Sequence, residues 1–300
     1  TSVALTPVTS TAFTVSAGAA ATLAFNVQPS NAAAGATIAP AVRVLVSDAF
    51  GNGVAGSSVE LALVGSGTLT GGAAVLSDAA GLATFSALSV NLAGSKQLTA
   101  TSGVLTPATS SAFTIAAAPA STLTFNVQPS NAAAGATIAP AVKVLVSDAF
   151  GNAVAGSNVA LALVGTGTLT GGAAVLSDAA GLATFSALSV NLAGSKQLTA
   201  TSGVLTPATS AAFTISAGAA ATLAFNVQPS NAAAGATIAP AVKVLVADTF
   251  GNAVAGSNVA LALVGTGTLT GGAAVLSDAA GLATFSALSV NLAGSKQLTA

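Results

Sequence analysis

The sequence predicts an all-β protein made of tandem antiparallel β-sandwich domains, with about 100 residues in each repeat. Three observations lead to this prediction. The 300 residues are three copies of one repeat. Within each copy, apolar and polar residues alternate along short segments. Turn-forming residues separate these segments at intervals of about 8–12 residues, the spacing typical of a sandwich.

The repeat indicates separate small domains rather than one large core. Residues 101–200 and 201–300 differ at eight positions, and 151–200 is identical to 251–300. A period near 100 residues is too long for solenoid repeats, which use roughly 20–45 residues. It suits one independently folded domain in each repeat.

Alternation with a period of two identifies the strands that build the core. Three segments of the first copy, 23–27, 42–48 and 59–63, place apolar residues on one face and mainly polar or small residues on the other. The apolar face of each strand should point into the sandwich. The predicted core residues, together with their copies, are Phe25, Val27, Val42, Val44, Val46, Leu61, Leu63, Phe85, Leu98 and Phe113.

Two turns have specific predictions. The segment 78–81, Asp-Ala-Ala-Gly, has the residues of a type I turn, and we expect it to close a hairpin between its flanking strands. In the segment 48–52, Gly51 and Asn52 should supply positive φ angles, and Asp48 should cap its own turn. Phe50 in this turn is expected to fold back over the end of the sandwich.

Composition excludes several classes of protein. Charged residues are 4% of the chain, against about 25% in typical proteins. The mean hydropathy is +0.85, but Gly, Pro, Ser, Thr or Asn interrupts every apolar run well before the roughly 20 residues that a spanning helix needs. Six basic and seven acidic residues leave no basic patch for nucleic acid. A net charge near zero favours association between copies.

The sequence offers little evidence for catalytic or ligand-binding residues, and we predict no enzyme activity, catalytic residue, cofactor site or metal site. The chain has no His and no Cys, which removes the usual nucleophile–base pairs and thiolate metal sites. Asp48 and Asp78 could be calcium ligands or turn caps, and their isolation favours caps. The glycine-rich segment 165–172 lacks the Gly-Lys ending of a phosphate loop. An isopeptide bond from Lys96 or Lys143 would need a buried acid nearby, and the acids lie in turns.

A known family matches the pattern of turns and strands. The segment 144–203 carries Asp-x-x-Gly-Asn before a Val, a second strand, a Gly-Thr-Leu stretch, an Asp-x-x-Gly-x-Ala turn and a closing Leu-Thr-Ala strand. This resembles the bacterial immunoglobulin-like (Ig-like) domains of the invasin and intimin type. The resemblance implies tandem Ig-like sandwiches outside a bacterial cell, in adhesin stalks or surface fibres. It rests on Asp148, Gly151, Asn152, Val154, Gly156, Gly167, Thr168, Leu169, Asp178, Gly181, Ala183, Leu198, Thr199 and Ala200.

The order of segments predicts the domain boundaries. Complete domains are expected at 19–118 and 119–218, and we call these the first and second repeats. The third repeat, 219–300, lacks the counterparts of the last strands, whereas 1–18 consists of such closing strands without a domain before them. Two explanations are open. The natural chain is longer, or residues 1–17 of one copy complete residues 219–300 of the next by strand addition.

The predicted function is structural. We expect an extracellular tandem array that builds a bacterial cell-surface filament or adhesin stalk, in which the chains are joined end to end. We also expect that the chains can pack side by side. The alternative is a glycan- or receptor-binding adhesin module that uses exposed loops such as 31–40. A carbohydrate site usually offers aromatic platforms, and the chain has neither Trp nor Tyr.

Overall fold

A computed structural model describes residues 4–300, and the regular structure of this range consists of β-strands. The chain divides into two compact units. The first unit contains residues up to 120 together with 147–152, and the second contains 121–146 and 153–300. Within the described range, no helix has the length and apolar character required to span a membrane.

The first unit contains the strands of the first repeat. These are β1 (Ala20–Val27), β2 (Ala32–Ala33), β3 (Val42–Asp48), β4 (Ser58–Val64), β5 (Leu69–Thr70), β6 (Val75–Leu76), β7 (Leu82–Phe85), β8 (Ser89–Val90), β9 (Gly94–Thr101), β10 (Ala108–Thr109) and β11 (Phe113–Ala116). Glycine, proline and asparagine are frequent between the strands, as the turn pattern predicted.

These strands form two facing sheets, which confirms the predicted all-β sandwich. One sheet has the order β1-β3-β7, and the other has the order β2-β11-β9-β4-β6 with β10 also paired to β9. Neighbouring strands are antiparallel except β2 and β11, which run parallel. A short ribbon of β5 and β8 lies beside them. The closing strand β11 therefore lies between β9 and β2 in the second sheet.

The core agrees with the alternation along β3 and departs from it along β1. Val42, Val44 and Val46 are fully buried, and Phe85, Leu98 and Phe113 are also buried as predicted. Phe25, Val27 and Leu63, which were predicted to be buried, are only half-buried, and of these Phe25 and Leu63 pack against the core. For the first two, β1 is an edge strand and its register with β3 shifts between Phe25 and Val27. Val59 and Ile115 are buried as the strand pattern predicted, and buried residues that the prediction did not include are Ile38, Leu88, Val90 and Ala100.

The turn at 78–81 caps itself as predicted but does not close a hairpin. The Asp78 carboxylate accepts hydrogen bonds from the Ala80 N–H at 2.8 Å and the Leu82 N–H at 3.0 Å. The flanking strands β6 and β7 pair with different partners, β4 and β3, in different sheets. The hairpin prediction was therefore wrong, because this turn carries the chain from one sheet to the other.

The second unit contains most of the second repeat and all of the third. The strands of the second repeat are β12 (Thr122–Val127), β13 (Ala132–Ala133), β14 (Val142–Ser147), β15 (Asn158–Val164), β16 (Leu169–Thr170), β17 (Val175–Leu176), β18 (Leu182–Phe185), β19 (Ser189–Val190), β20 (Gly194–Thr201), β21 (Ala208–Thr209) and β22 (Phe213–Ser216). Those of the third are β23 (Thr222–Val227), β24 (Val242–Ala247), β25 (Asn258–Val259), β26 (Ala262–Val264), β27 (Leu269–Thr270), β28 (Val275–Leu276), β29 (Leu282–Phe285), β30 (Ser289–Val290) and β31 (Gln297–Thr299).

The second repeat has the same sheets as the first, with the orders β12-β14-β18 and β13-β22-β20-β15-β17. In the third repeat, the sheet β23-β24-β29 forms in the same way. Its remaining strands are joined in pairs, β25 with β28, β26 with β31 and β27 with β30. The second sheet is therefore the part of the fold that differs between the two repeats.

Candidate assembly site

The segment Asp48 to Asn52 forms a tight turn, which we call the junction turn together with its copies at 148–152 and 248–252. The Asp48 Oδ1 atom accepts hydrogen bonds from the Phe50 N–H and the Asn52 N–H, both at 2.9 Å. This confirms the predicted cap. The positive φ prediction holds for Gly51, at 87°, but was wrong for Asn52, because glycine supplies every positive φ angle within the described residues.

The second carboxylate oxygen of the junction turn binds the segment that leads into each repeat. Asp48 Oδ2 accepts the Gly18 N–H at 2.9 Å. Asp148 binds the Ala118 N–H and Asp248 binds the Gly218 N–H in the same way, each at 2.8 Å. One carboxylate therefore connects the turn to the linker before it.

These hydrogen bonds stabilise the charged form of the three carboxylates. They lower the pKa of Asp48 to about 2, with the Asn52 side-chain amide as the largest cause and the Gly18 N–H as the next. For Asp148 and Asp248, burial is the largest single influence and raises the pKa. The asparagine amide and the backbone N–H groups together outweigh it, so that the pKa of both carboxyls is lowered.

The asparagine of the junction turn also binds the preceding repeat. In the first unit, Asn152 donates from Nδ2 to the Asn91 carbonyl at 2.9 Å and accepts from the Ala93 N–H at 2.8 Å. In the second unit, Asn252 makes the same two bonds to the Asn191 carbonyl and the Ala193 N–H, again at 2.9 and 2.8 Å. We call residues 91–93 and their copies the docking loop.

The phenylalanine of the junction turn covers a glycine of the preceding repeat. A Cβ atom placed on Gly35 would lie 2.3 Å from Cζ of Phe150, and one placed on Gly135 would lie 2.5 Å from Cε2 of Phe250. Phe150 and Phe250 are each 44% exposed, whereas Phe50 is 91% exposed. The prediction that Phe50 folds over its own sandwich was wrong, because in the other copies the apolar surface that contacts this ring belongs to the repeat before it.

The closing strand has a second set of contacts, this time within one repeat. Asn131 Oδ1 accepts the Thr214 N–H at 2.7 Å, and Gln128 Oε1 accepts the Ala211 N–H at 2.9 Å. Phe213 and Ile215 of β22 are buried in the core, while Thr214 between them faces outward. Asn31 and Gln28 make the same bonds along β11 in the first unit.

The third repeat has a groove along the corresponding edge. Its volume is about 450 Å³, and its lining includes Asn231, Ile238, Leu263, Lys296 and Leu298. In the second repeat, the counterparts Ile138, Lys196 and Leu198 are buried, and Lys196 pairs with Phe213 of the closing strand. The groove of the third repeat is thus lined by residues that β22 covers in the second.

The described part of the segment 1–17 carries the pattern of a closing strand. Ala12 to Val15 reads Ala-Phe-Thr-Val, and the closing strands of the first and second repeats begin Ala-Phe-Thr-Ile. Phe13 and Val15 are each 82% exposed, in contrast to Phe113 and Phe213 at 3%. This segment therefore presents an apolar pair at the spacing that β11 and β22 use to fill the core.

The Asp48 and Asp78 side chains act as turn caps, because their carboxylates bind N–H groups of their own turns. Across residues 4–300, no group of three or more His, Cys, Asp or Glu side chains is placed to hold a metal ion. The sequence did not predict the roles of Asn152, Asn91 and Gln128. These residues recur every 100 positions, and the repeat alone does not show whether such a residue contacts its own repeat or the adjacent one.

Comparison with known proteins gives matches among solved structures. No protein-family model matches the sequence, and no curated protein does either. The structure of Yersinia pseudotuberculosis InvD matches with 19% identity and a TM-score of 0.42, over 93% of this chain and 81% of InvD. Invasin, described as a bacterial integrin-binding protein, matches with 16% identity and a TM-score of 0.38, over 92% of this chain and 56% of that one.

The D0–D1 domains of intimin also match, with 15% identity and a TM-score of 0.26, over 66% of this chain and 98% of that one. The matched structures include invasin and intimin, whose domains the sequence resembles.

Proposed function

We propose that this protein is a structural, non-enzymatic component of the bacterial cell surface, a tandem array of Ig-like domains that acts as a filament or an adhesin stalk. One observation carries the proposal. The junction turn makes the same two hydrogen bonds to the docking loop at residue 152 in the first unit and at residue 252 in the second unit. A contact that recurs with the same geometry restricts bending where it occurs, which suits a spacer that must extend from a surface.

The composition is consistent with a spacer. Few charges lie along the chain, and the short side chains of Thr, Ser and Ala dominate its outward positions. Such a surface repels other copies weakly, and this feature also favours side-by-side packing, which stays a prediction. The glycan- or receptor-binding alternative would place a site in loops such as 31–40, and no contact described above favours it.

The proposal extends to how copies join. We infer that a closing strand of the Ala-Phe-Thr-Val type fills the groove of the third repeat, and that residues 1–17 of another copy can supply it. Asn231 and Gln228 occupy the positions from which Asn131 and Gln128 bind the closing strand of the second repeat. Phe13 and Val15 would then take the places that Phe213 and Ile215 take one repeat earlier.

The association of the purified 300-residue polypeptide tests this proposal. Analytical ultracentrifugation should show oligomers that grow with concentration, and electron microscopy should show linear chains of particles. Phe13→Asp should abolish association, because it removes the ring that would take the place of Phe213, which is 3% exposed, and a carboxylate cannot replace its apolar contacts. Thr14→Asp is the matched control and should leave association intact, because Thr114 and Thr214 face outward in the closing strands.

Two results would contradict the proposal. A polypeptide that stays monomeric at high concentration would exclude end-to-end joining of this chain. Equal association of the Phe13→Asp and Thr14→Asp variants would show that the closing-strand segment does not enter the groove. Binding of the isolated polypeptide to a glycan array or to host cells would instead favour the adhesin-module alternative.

A further inference from the structure

The junction turn of the first repeat is exposed, although its copies are in contact. Phe50 is 91% exposed, compared with 44% for Phe150 and Phe250. Asn52 is exposed as well, whereas Asn152 and Asn252 retain 7% and 8% of their accessible surface. The local conformation is nevertheless the same, since Asp48 holds the turn with the same hydrogen bonds as Asp148 and Asp248.

The docking loop of the third repeat is exposed in a complementary way. Asn291 and Ala293 are exposed, and a Cβ atom placed on Gly235 would meet nothing within 4 Å. The loop has the conformation of its copies, because Asn291 Oδ1 accepts the Thr268 N–H at 2.7 Å, the distance found from Asn191 to Thr168. The Gly235 N–H also donates to the Val290 carbonyl at 2.8 Å, as Gly135 does to Val190 at 2.9 Å.

We propose that the junction turn of the first repeat docks on the third repeat of a second copy of this chain, with Asn52 bound to residues 291 and 293 and the Phe50 ring over Gly235. The inference rests on the proposed end-to-end function and deepens it. The occupant is a second copy because this chain already forms the same contact twice, with the same residue types and distances. The contact is distinct from the closing strand, because it does not use residues 1–17, although Ala293 also lines the groove.

The two contacts would act on the same joint in different ways. The closing strand supplies the apolar contact area that holds two copies together. The docking of Asn52 and Phe50 adds directional hydrogen bonds, and these set the orientation of one copy on the next. Because both partner surfaces have the bound conformation before contact, little ordering is required when they meet.

The test compares exposed and internal copies of the same residues. Asn52→Ala and Phe50→Ala should each weaken association of the 300-residue polypeptide by about tenfold, the effect of losing two modest hydrogen bonds or a partly covered ring. Phe150→Ala and Asn152→Ala remove the corresponding groups within the chain and are the matched controls. They should leave the association constant near that of the parent. Calorimetry should show that Phe50→Ala folds normally, since its side chain is almost fully exposed.

A crosslinking arm reports the contact directly, because the chain contains no cysteine. Asn52→Cys combined with Ala293→Cys should give a ladder of covalent oligomers with a short bis-maleimide. Asn152→Cys with Ala93→Cys calibrates the reaction inside one chain.

If Phe13→Asp prevents association while Asn52→Ala and Phe50→Ala leave it unchanged, the docking contact is wrong and the closing-strand joint survives. If the Phe13→Asp variant associates as the parent does, the closing-strand joint fails. In that case, a crosslinked ladder would support docking on its own, and the lack of one would exclude both contacts.

Discussion

The second and third repeats have identical sequences over 151–200 and 251–300, yet the same residues are buried to different extents. Leu198 and Val190 are fully buried, while Leu298 and Val290 are half-buried. Lys196 is 3% exposed, and Lys296 lines the open groove. The difference teaches that the closing segment of a repeat, with β21 and β22, determines the burial of an edge of the core. Burial here is a property of the neighbour and not of the residue.

The largest expected effect comes from breaking the closing strand of the second repeat. Phe213→Ala removes a ring that is 3% exposed, and it should lower the free energy of unfolding of the second repeat by about 3–5 kcal/mol. The second repeat would then resemble the third. Phe13→Ala is the control, because its ring is 82% exposed and its loss should cost less than about 0.5 kcal/mol in the monomer.

Scanning calorimetry at a concentration where the polypeptide is monomeric measures both variants. Similar losses for Phe213→Ala and Phe13→Ala would show that the closing strand does not account for the difference between the repeats.

A smaller effect is expected when one substitution is made in both repeats. Leu198→Ala should cost about 2–4 kcal/mol, as is usual for a fully buried leucine. Leu298→Ala should cost about 1–2 kcal/mol, because that side chain is only partly buried. Calorimetric transitions assigned to the two repeats provide the measurement, and equal costs would mean that the third repeat has a closed core in solution.

The smallest expected effect concerns acid. The pKa of Asp248 is lowered in the folded protein, so the folded state favours the charged carboxylate over the unfolded chain, in which an aspartate titrates near about 3.9. The stabilisation is complete above that value and is lost as the pH falls through the folded pKa. We therefore expect stability to decrease below about pH 4, and the same applies to Asp48, which titrates at about 2.

Asp248→Asn isolates the contribution of this junction. The variant should be less stable than the parent at neutral pH, and its stability should fall less on acidification, because the titrating group is gone. Denaturation curves between about pH 2 and pH 7 measure the difference. An acid dependence equal to that of the parent would contradict the proposed role of the Asp248 network.

The sequence by itself determined the fold class and much of the local structure. Alternation along 42–46 placed three valines in the core correctly, because the side chains of a strand point to opposite faces. The turn chemistry of Asp48 and Asp78 was also predicted correctly, since a carboxylate that binds the next N–H groups needs only its own segment. The sequence also showed that residues 1–17 have the residue pattern of a closing strand.

Only the tertiary structure decided which contacts those segments make. It assigned β6 and β7 to different sheets, although the turn between them resembles a hairpin turn. It left Phe25 half-buried on an edge strand. It also gave Asn152 and Phe150 partners in the preceding repeat. In each case the deciding partner is distant along the chain, and a pattern read within one segment contains no information about that partner. The nearly identical repeats demonstrate this dependence on distant partners, because Leu198 and Leu298 lie in identical local sequences but in different structural surroundings.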